Sequence, residues 1–588
     1  MTRLTKSRAA AGLGALLAAA CGSAPPPGSV PFSPEWSSDD GRSIAALWRR
    51  LARVPPAAEP DLVVGTTSSG VVGRPLGGGA KWKLDARLEA RPALAGGRVI
   101  VAAGGRLSAI DARTGRRLWA RPSPGGAMVA AAGDAQHVVV VLRAARPGRS
   151  VALALDAHGE PVHRWEIGGP AGQPAVHGGV AFIPWAGQYV SALDLATGAE
   201  VARLLLREQV SHALLSGGAL WFGERSLVRF DDRIGAATRG GATTARLTDR
   251  ALPGAPAWLG DGTRALPVAP LATDRVRLSA RPSGAGFEPA VAVATYHRLV
   301  LGIAPTDGAL RFVTVTPAPL LDVAAAEGGF ALCASDGAVR WVGQRGALSE
   351  GPTLAEPLLT CEIHASAAAA PAAAPAATLP EQLAEAIRAR ETDLVVGQRF
   401  LLGELAKLPG PAVTRAVLDV AADPRVSPDL AGVADSVLAA RRDGADVMLE
   451  ALSRSYDFLS DERRPPPVGP LAEALAAIGD PRAAAPLARH LNDPATPLEA
   501  LERCARALET LATPAETEAL LQFFSLYRAA AEQPEIVRAV VSVARTLRRV
   551  GGAEGRRAVK AALRDPLTQP EVAAALGADD EGAAPTPG

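Results

Sequence analysis

The chain of 588 residues has few cysteines, few aromatic residues and no excess of either charge. Its four cysteines form no Cys-x-x-Cys pair and no His/Cys ligand spacing, the patterns that zinc sites use. Lys and Arg number 62 against 60 for Asp and Glu, so no basic surplus indicates a nucleic-acid partner. No apolar run is long enough to span a bilayer. We therefore predict no metal site, no nucleic-acid binding and no transmembrane segment.

The extreme N-terminus has the parts of an export signal. Arg3, Lys6 and Arg8 supply positive charge, and residues 9–20 are apolar and end in small side chains. This run stops at Cys21. Two interpretations are open: a lipoprotein signal that is cleaved before a lipidated Cys21, or an ordinary signal peptide in which Cys21 is incidental.

The sequence around Cys21 favours the lipoprotein. Residues 17–21, Leu-Ala-Ala-Ala-Cys, resemble a bacterial lipobox, although that family prefers a larger aliphatic residue where Ala18 stands. The resemblance implies that residues 1–20 are a signal peptide and that Cys21 is the lipid attachment site, whose acyl chains anchor the protein to a membrane. Because Gly22 rather than Asp follows the cysteine, the outer membrane, on its periplasmic side or at the cell surface, is favoured over the inner one.

Residues 21–60 predict a tether. They are rich in Pro, Ser and Gly, the composition of a flexible linker. Residues 43–53 carry apolar side chains at helical spacing, so we expect a short helix that packs on the next domain.

A repeated unit organises residues 61–364. In each copy a short alternating run ends in Asp, a tight turn carries Gly, and another short apolar run follows. Asp and Thr side chains hydrogen-bond nearby backbone, and Gly adopts the positive φ that such a turn needs. Successive Asp residues lie 45, 38 and 37 positions apart, a period typical of propeller blades. The motif residues, with a structural role, are Asp111, Thr114, Gly115, Trp119, Asp156, Gly159, Trp165, Asp194, Thr197, Gly198 and Asp231.

Hairpin signals beside this motif predict the number of blades. Centres near residues 68, 97, 134, 179, 218, 262, 296 and 329 indicate eight blades. The weak pattern of residues 261–289 leaves seven open. We expect residues 356–364 to add an outer strand to the first blade, because ring closure removes an open sheet edge. The Trp residues at 82, 119, 165 and 341 are expected to fill gaps between blades.

The run from Asp111 to Trp119 resembles the repeat of quinoprotein-type, PQQ-like β-propellers, and the resemblance covers about 300 residues. Enzymes of that family hold a quinone on the ring axis with a Trp platform, a calcium ion and two adjacent cysteines. This chain has no Cys-Cys pair, and its propeller region is about half the usual length of those enzymes. We therefore predict no enzyme activity and no cofactor, and a quinone-dependent oxidoreductase is the least favoured function.

Two further cysteines lie in the predicted propeller. Cys333 and Cys361 both fall in strand-like runs, and export places them in an oxidising compartment. A disulfide between them and two buried free thiols are both open, and free thiols are the simpler expectation. Cys504 falls in a helical pattern and is expected in a core.

The C-terminal third changes to helical periodicity. Residues 365–379 predict an Ala/Pro linker, residues 380–577 an α-solenoid, and residues 578–588 a disordered tail. Residues 475–491 resemble a HEAT-type repeat, which implies about five helix pairs in all. Proline marks helix starts, and Thr513 with Glu516 predicts a capping box. Helix ends are expected at Leu408, Ile478, Leu511 and Val550, with Arg441 as a weaker member of the series.

The fold class is thus an all-β propeller followed by an all-α solenoid. The propeller and lipobox together resemble the BamB-like propeller lipoproteins of the outer-membrane β-barrel assembly machinery, a family implicated in presenting substrates or organising that machine. The helical half departs from that family. The resemblance implies a non-catalytic scaffold or assembly factor that binds envelope proteins through its propeller surface and solenoid groove. The alternative is an envelope sensor that binds a small molecule or peptide in the propeller funnel.

Overall fold

The computed structural model describes residues 29–31, 46–47, 49–55, 60–206, 209–216, 219–223, 226–229, 246–248, 278–280, 291–304, 309–365, 377–389, 394–453 and 467–582. The chain divides into two compact units, residues 1–376 and 377–588. The first is built from β-strands and the second from helices. The boundary falls within the segment predicted as an Ala/Pro linker.

The described part of the first unit contains seven sheets, here called blades 1 to 7. Blade 1 consists of β2 Leu62–Thr66, β3 Gly70–Pro75, β4 Trp82–Asp85 and β29 Thr360–His364; blade 2 of β5 Ala93–Ala95, β6 Arg98–Ala103, β7 Arg106–Asp111 and β8 Arg117–Pro122; blade 3 of β9 Met128–Gly133, β10 His137–Arg143, β11 Ser150–Asp156 and β12 Pro161–Ile167, with β1 Ser29–Pro31 beside β12; blade 4 of β13 Ala175–His177, β14 Val180–Trp185, β15 Tyr189–Asp194 and β16 Glu200–Leu205; blade 5 of β17 His212–Ser216, β18 Ala219–Gly223, β19 Ser226–Arg229 and β20 Arg246–Thr248; blade 6 of β21 Leu278–Ala280, β22 Ala292–Tyr296, β23 Leu299–Ile303 and β24 Leu310–Val315; blade 7 of β25 Leu320–Ala326, β26 Gly329–Ala334, β27 Ala338–Gly343 and β28 Leu348–Thr353. Four antiparallel strands form each blade, in chain order except that β29 precedes β2 in blade 1, and blade 3 has a fifth strand, β1, that pairs in parallel.

Paired glycines form several of the tight turns. Gly96 and Gly97 have φ of +57° and +73°, and Gly178 and Gly179 have +58° and +71°. Two successive positive φ values match the twist of a two-residue hairpin, and only glycine adopts them at no steric cost. Seven of the eight predicted hairpins lie between paired strands; the one predicted near residue 262 lies outside the described residues.

Blade 1 joins distant parts of the chain. β29 pairs antiparallel with β2, with Leu62 opposite His364 and Thr66 opposite Thr360. The prediction that this segment adds an outer strand is wrong. β29 occupies the position of β5 or β9 in their own blades and contacts β25, the corresponding strand of blade 7. Because β2, β3 and β4 already supply the other three strands, only the inner position is left.

Apolar side chains fill the space between neighbouring blades. The cluster between blades 2 and 3 includes Ile100, Trp119, Val140 and Leu153, all buried. Similar clusters lie between blades 1 and 2, 3 and 4, 6 and 7, and 7 and 1. Burying a large apolar side chain stabilises a fold by roughly 1.5–3 kcal/mol, so these layers hold the blades together.

The second unit has twelve α-helices in its described part, and the first ten contact one another as five consecutive pairs. The even-numbered helices contact one another in sequence from α2 to α12, and most odd-numbered helices do the same, which defines a solenoid. The helices are α1 Leu379–Arg388, α2 Val395–Ala406, α3 Pro411–Ala422, α4 Pro428–Ala440, α5 Ala445–Leu452, α6 Val468–Ile478, α7 Ala484–Leu491, α8 Leu498–Leu511, α9 Thr517–Tyr527, α10 Pro534–Val550, α11 Gly552–Ala562 and α12 Pro570–Gly582.

The helix ends follow the local sequence signals closely. α6, α8 and α10 end at the predicted residues, whereas α2 ends at Ala406, two residues before Leu408. The capping box is confirmed, since the Glu516 carboxylate accepts the backbone N–H of Thr513 at 2.8 Å. α12 continues to Gly582, five residues past residue 577, the predicted end of the solenoid.

Candidate functional site

The repeated turn is a hydrogen-bonded structure at the end of the third strand of a blade. In blade 2, Oδ1 of Asp111 accepts the backbone N–H of Thr114 at 2.8 Å and its hydroxyl at 2.7 Å. In blade 4, Oδ1 of Asp194 accepts the same two groups of Thr197 at 3.1 and 3.2 Å. Each carboxylate is thus used within its own turn, which the chain closes through local side-chain-to-backbone bonds.

The turn of one blade receives an aromatic side chain from the outer strand of the blade before it. The indole N–H of Trp82, on β4, donates to the carbonyl of Ala112 at 2.8 Å. A Cβ on Gly115 would lie 2.5 Å from Cβ of Trp82, so only glycine leaves room for the ring. The indole N–H of Trp165, on β12, donates likewise to the carbonyl of Gly198 at 2.9 Å. The motif therefore joins neighbouring blades. We call this contact, between an outer-strand aromatic ring and the turn of the next blade, the blade lock.

Blade 3 has a shorter turn, and its lock lacks the hydrogen bond. Gly159 follows Asp156 by three residues, whereas Gly115 and Gly198 follow their Asp by four. The Trp119 ring still packs on Gly159, where a Cβ would lie 2.6 Å from the ring. However, the buried indole N–H of Trp119 has no hydrogen-bond partner. A buried donor without a partner costs about 1–3 kcal/mol of stability.

This difference predicts unequal effects of the same substitution. We expect Trp165→Phe to lower the free energy of unfolding of the propeller by about 1 kcal/mol more than Trp119→Phe, because it leaves the Gly198 carbonyl without its donor. Trp119→Phe removes a donor that already lacks a partner. Denaturant unfolding followed by intrinsic fluorescence measures both values. Equal losses would show that the hydrogen bond contributes nothing to the lock.

One predicted member of the Trp series departs from this arrangement. Trp341 lies on β27, the third strand of its blade, rather than on the outer strand. The outer-strand aromatic residue before blade 7 is Phe312 on β24, and a Cβ on Gly346 would lie 2.9 Å from its Cβ. Its signal was the sequence Asp-Gly-Ala-Leu-Arg-Phe, a worn copy of the motif. Asp231 and Cys21 lie outside the described residues.

The junction of blades 7 and 1 holds the densest set of polar links. Cys333 on β26 and Cys361 on β29 form a disulfide, with Cα atoms 6.5 Å apart. The structure thus contradicts the simpler expectation of two free thiols. Oδ2 of the buried Asp322, on β25, accepts the N–H of Ile363 on β29 at 3.1 Å. Lys81 and Lys83 both pair with Glu356, at 3.2 and 3.1 Å.

Helical residues near the N-terminus pack on blade 4. Leu47 and Leu51 are buried in one cluster with Phe182. Arg50 donates to the Asp194 carboxylate at 3.0 Å. Burial of Asp194 opposes its ionisation, but the Arg50 guanidinium and two backbone N–H groups outweigh burial and hold the pKa of the Asp194 carboxyl below its ordinary value. A turn residue of the repeat therefore also binds the segment that leads into the ring.

Two arginines, the buried Arg441 and the exposed Arg549, join successive pairs of the solenoid. Nε of Arg441, just after α4, donates to Oγ1 of Thr414 at 2.7 Å, and its Nη atoms donate to the Leu408 carbonyl at 3.3 Å. Arg549, in the last turn of α10, donates to the carbonyls of Leu508 and Ala512 at 3.2 and 3.0 Å. Each guanidinium satisfies carbonyls that the end of the preceding even-numbered helix leaves open.

An open cleft of about 600 Å³ lies beside Arg441, between α2 and α4. Its walls include the apolar residues Leu408, Pro409, Val433 and Val437 and the cationic residues Lys407 and Arg442. The Arg441 guanidinium donates to backbone carbonyls and to the Asp443 carboxylate at the edge of the cleft.

The residues that the structure describes contain no group of three or more His, Cys, Asp or Glu side chains placed to hold a metal ion. They also contain no helix with both the length and the apolar character to cross a bilayer. The features that recur are hydrogen bonds and packing contacts that join neighbouring blades or neighbouring helix pairs.

The seven sheets, the Asp–Gly turn and the inserted outer-strand aromatic residue define the first unit as a PQQ-like β-propeller repeat domain, followed by a helical solenoid. A family model described as outer membrane protein assembly factor BamB matches residues 36–157 and 79–203. The matched segment, residues 36–203, is therefore similar to that family.

Solved structures give distant likenesses. The crystal structure of BamB from Moraxella catarrhalis is 17% identical and covers 52% of this chain and 86% of its own, with a TM-score of 0.31. The computationally designed Ika8 protein is 12% identical and covers 52% of this chain and 96% of its own, with a TM-score of 0.28. Similarity at this level carries no functional information. No curated protein sequence matches this chain.

Proposed function

We propose that this protein is a lipid-anchored envelope scaffold that binds other envelope proteins and takes part in the assembly of outer-membrane proteins. The observation that carries the proposal is the match of residues 36–203 to the BamB assembly-factor model. The propeller supplies one rigid surface, and the solenoid supplies a second with the cleft beside Arg441. The role is non-catalytic, because the repeated carboxylates are used to build turns.

The anchor is tested by metabolic labelling. We expect a fatty-acid analogue to label the full chain in the native host, and the label to be lost in Cys21→Ala. Cys504→Ala is the matched control, because Cys504 is buried and remote in sequence from the signal. Label that persists in Cys21→Ala would contradict lipidation at this residue. Fractionation of the labelled envelope would then separate outer from inner membrane.

The scaffold role is tested by purification from solubilised envelope. We expect stable co-purification with proteins of the outer-membrane assembly machinery. A monomer that carries a bound small molecule and no protein partner would overturn the scaffold and support an envelope sensor. Quinone-type absorbance after incubation with PQQ and calcium would overturn the non-catalytic role.

A further inference from the structure

The outer edge of blade 3 is covered by the chain's own N-terminal segment. β1 pairs in parallel with β12, with Ser29 opposite Arg164, Val30 opposite Trp165 and Pro31 opposite Glu166. No other blade has a fifth strand in the described residues. β12 is seven residues long, whereas the other described outer strands have three to six, so blade 3 offers the longest edge for a further strand.

The pairing relies on backbone groups. An outer strand presents N–H and C=O groups that a neighbouring strand can satisfy. Pro31 has no N–H, so Val30 is the central donor of β1, and the proline ends the pairing. A three-residue segment of a Pro- and Ser-rich tether can therefore add to the sheet without a long apolar pattern.

A second contact fixes the same segment on the neighbouring blade. Leu51 is buried against blade 4, and a Cβ on Gly178 would lie 2.9 Å from its Cδ2. Arg50 pairs with Asp194 on the turn of that blade. The N-terminal segment is thus attached at two places, on the edge of blade 3 and on the turns of blade 4.

We infer that β1 orients the propeller at the membrane, with the outer edge of blade 3 held next to the lipid anchor. This inference rests on the proposed lipidation of Cys21. Eight residues separate Cys21 from Ser29, which limits their distance to about 28 Å in a fully extended chain. Without β1, the 26 residues from Cys21 to Leu47, the first buried contact on blade 4, would allow about 90 Å. Pairing of the three residues of β1 with β12 therefore reduces the maximum distance between the lipid anchor and the propeller.

Disulfide crosslinking tests the docking without the lipid. The mature chain with Cys21→Ala is purified with Ser29→Cys and Arg164→Cys, which are opposite in register. The matched control is Ser29→Cys with Glu166→Cys, two residues out of register and beyond the roughly 7 Å that a disulfide bridges. We expect mild oxidation to crosslink the first pair and not the second. Equal crosslinking of both pairs, or of neither, would overturn the docking.

Energy transfer to lipid tests the orientation. The lipidated chain is reconstituted in phosphatidylethanolamine/phosphatidylglycerol vesicles that carry a headgroup acceptor. A donor dye is placed at Val162→Cys on β12, or at Arg311→Cys on β24, across the ring; both native residues are exposed. Transfer is expected to be higher from position 162, and the difference is expected to be lost in Val30→Pro and kept in Ser33→Pro.

The outcomes separate the two claims. Equal transfer from both positions in the otherwise unchanged chain would overturn the orientation. If the Cys21→Ala chain crosslinks in register but the chain with Cys21, purified from the native host, does not bind vesicles, the lipid anchor and with it the orientation would be overturned, while the docking of β1 would stand.

Discussion

Replacement of both Cys333 and Cys361 by alanine is expected to lower the free energy of unfolding of the propeller by about 3 kcal/mol. The disulfide spans 28 residues and joins β26 of blade 7 to β29 of blade 1, across the closure of the ring. A crosslink of that length removes conformational freedom from the unfolded chain, and closure also removes an open sheet edge. The loss is therefore expected in the first unit alone.

The two units can be followed separately in the same sample. All nine Trp residues precede residue 342, so intrinsic fluorescence reports on the propeller, while far-UV circular dichroism is dominated by the helices. The double substitution is expected to shift the fluorescence transition to lower denaturant and to leave the helical transition unchanged. Cys504→Ala, which removes the buried thiol of α8, is the control and should shift only the helical transition. An unchanged fluorescence transition would contradict the closing role of the disulfide.

Gly115→Ala is expected to destabilise the propeller by about 3 kcal/mol, from a left-handed backbone and from overpacking. Gly115 has φ of +72°, and an added Cβ would lie 2.5 Å from Cβ of Trp82. Trp82 cannot withdraw cheaply, because its indole N–H is held by the Ala112 carbonyl. The strain and the clash therefore act together on the contact between blades 1 and 2.

Gly104→Ala separates the two contributions. Gly104 has φ of +58°, but no atom lies within 4 Å of an added Cβ. It should therefore cost only the backbone strain, about 1 kcal/mol. Chemical denaturation of the two variants gives the difference directly. If both lose the same stability, packing between Trp82 and the turn contributes nothing measurable, and the blade lock would have to be reassigned.

Much of the propeller can be predicted from short stretches of sequence. The Asp–Gly turn needs only residues up to four positions apart, so Asp111, Thr114 and Gly115 identify it wherever they recur. Helix ends in the solenoid are predicted for the same reason, since the Thr513 cap and Pro534 act within one turn of helix. The spacing of the copies then indicates blades without any knowledge of their packing.

The site features were harder to predict because they join distant residues. Phe312 occupies the outer-strand position that Trp holds in other blades. Trp341 lies on β27, the third strand of blade 7, and not on the outer strand. The space between two blades accepts either aromatic ring. The hydrogen bonds that the buried Arg441 donates depend on helix ends that meet only when successive helix pairs stack. Neither relation has a fixed spacing in the chain.

By itself, the amino-acid sequence determined the strand and helix types, the repeated turn and the change from sheet to helix, because local hydrogen bonds and periodicity specify them. Only the tertiary structure decided which edge β29 completes, that Cys333 meets Cys361, and that β1 adds to β12. The physical reason is common to the two strand pairings. Backbone N–H and C=O groups are the same in every residue, so the partner of a strand edge is chosen by the assembled fold.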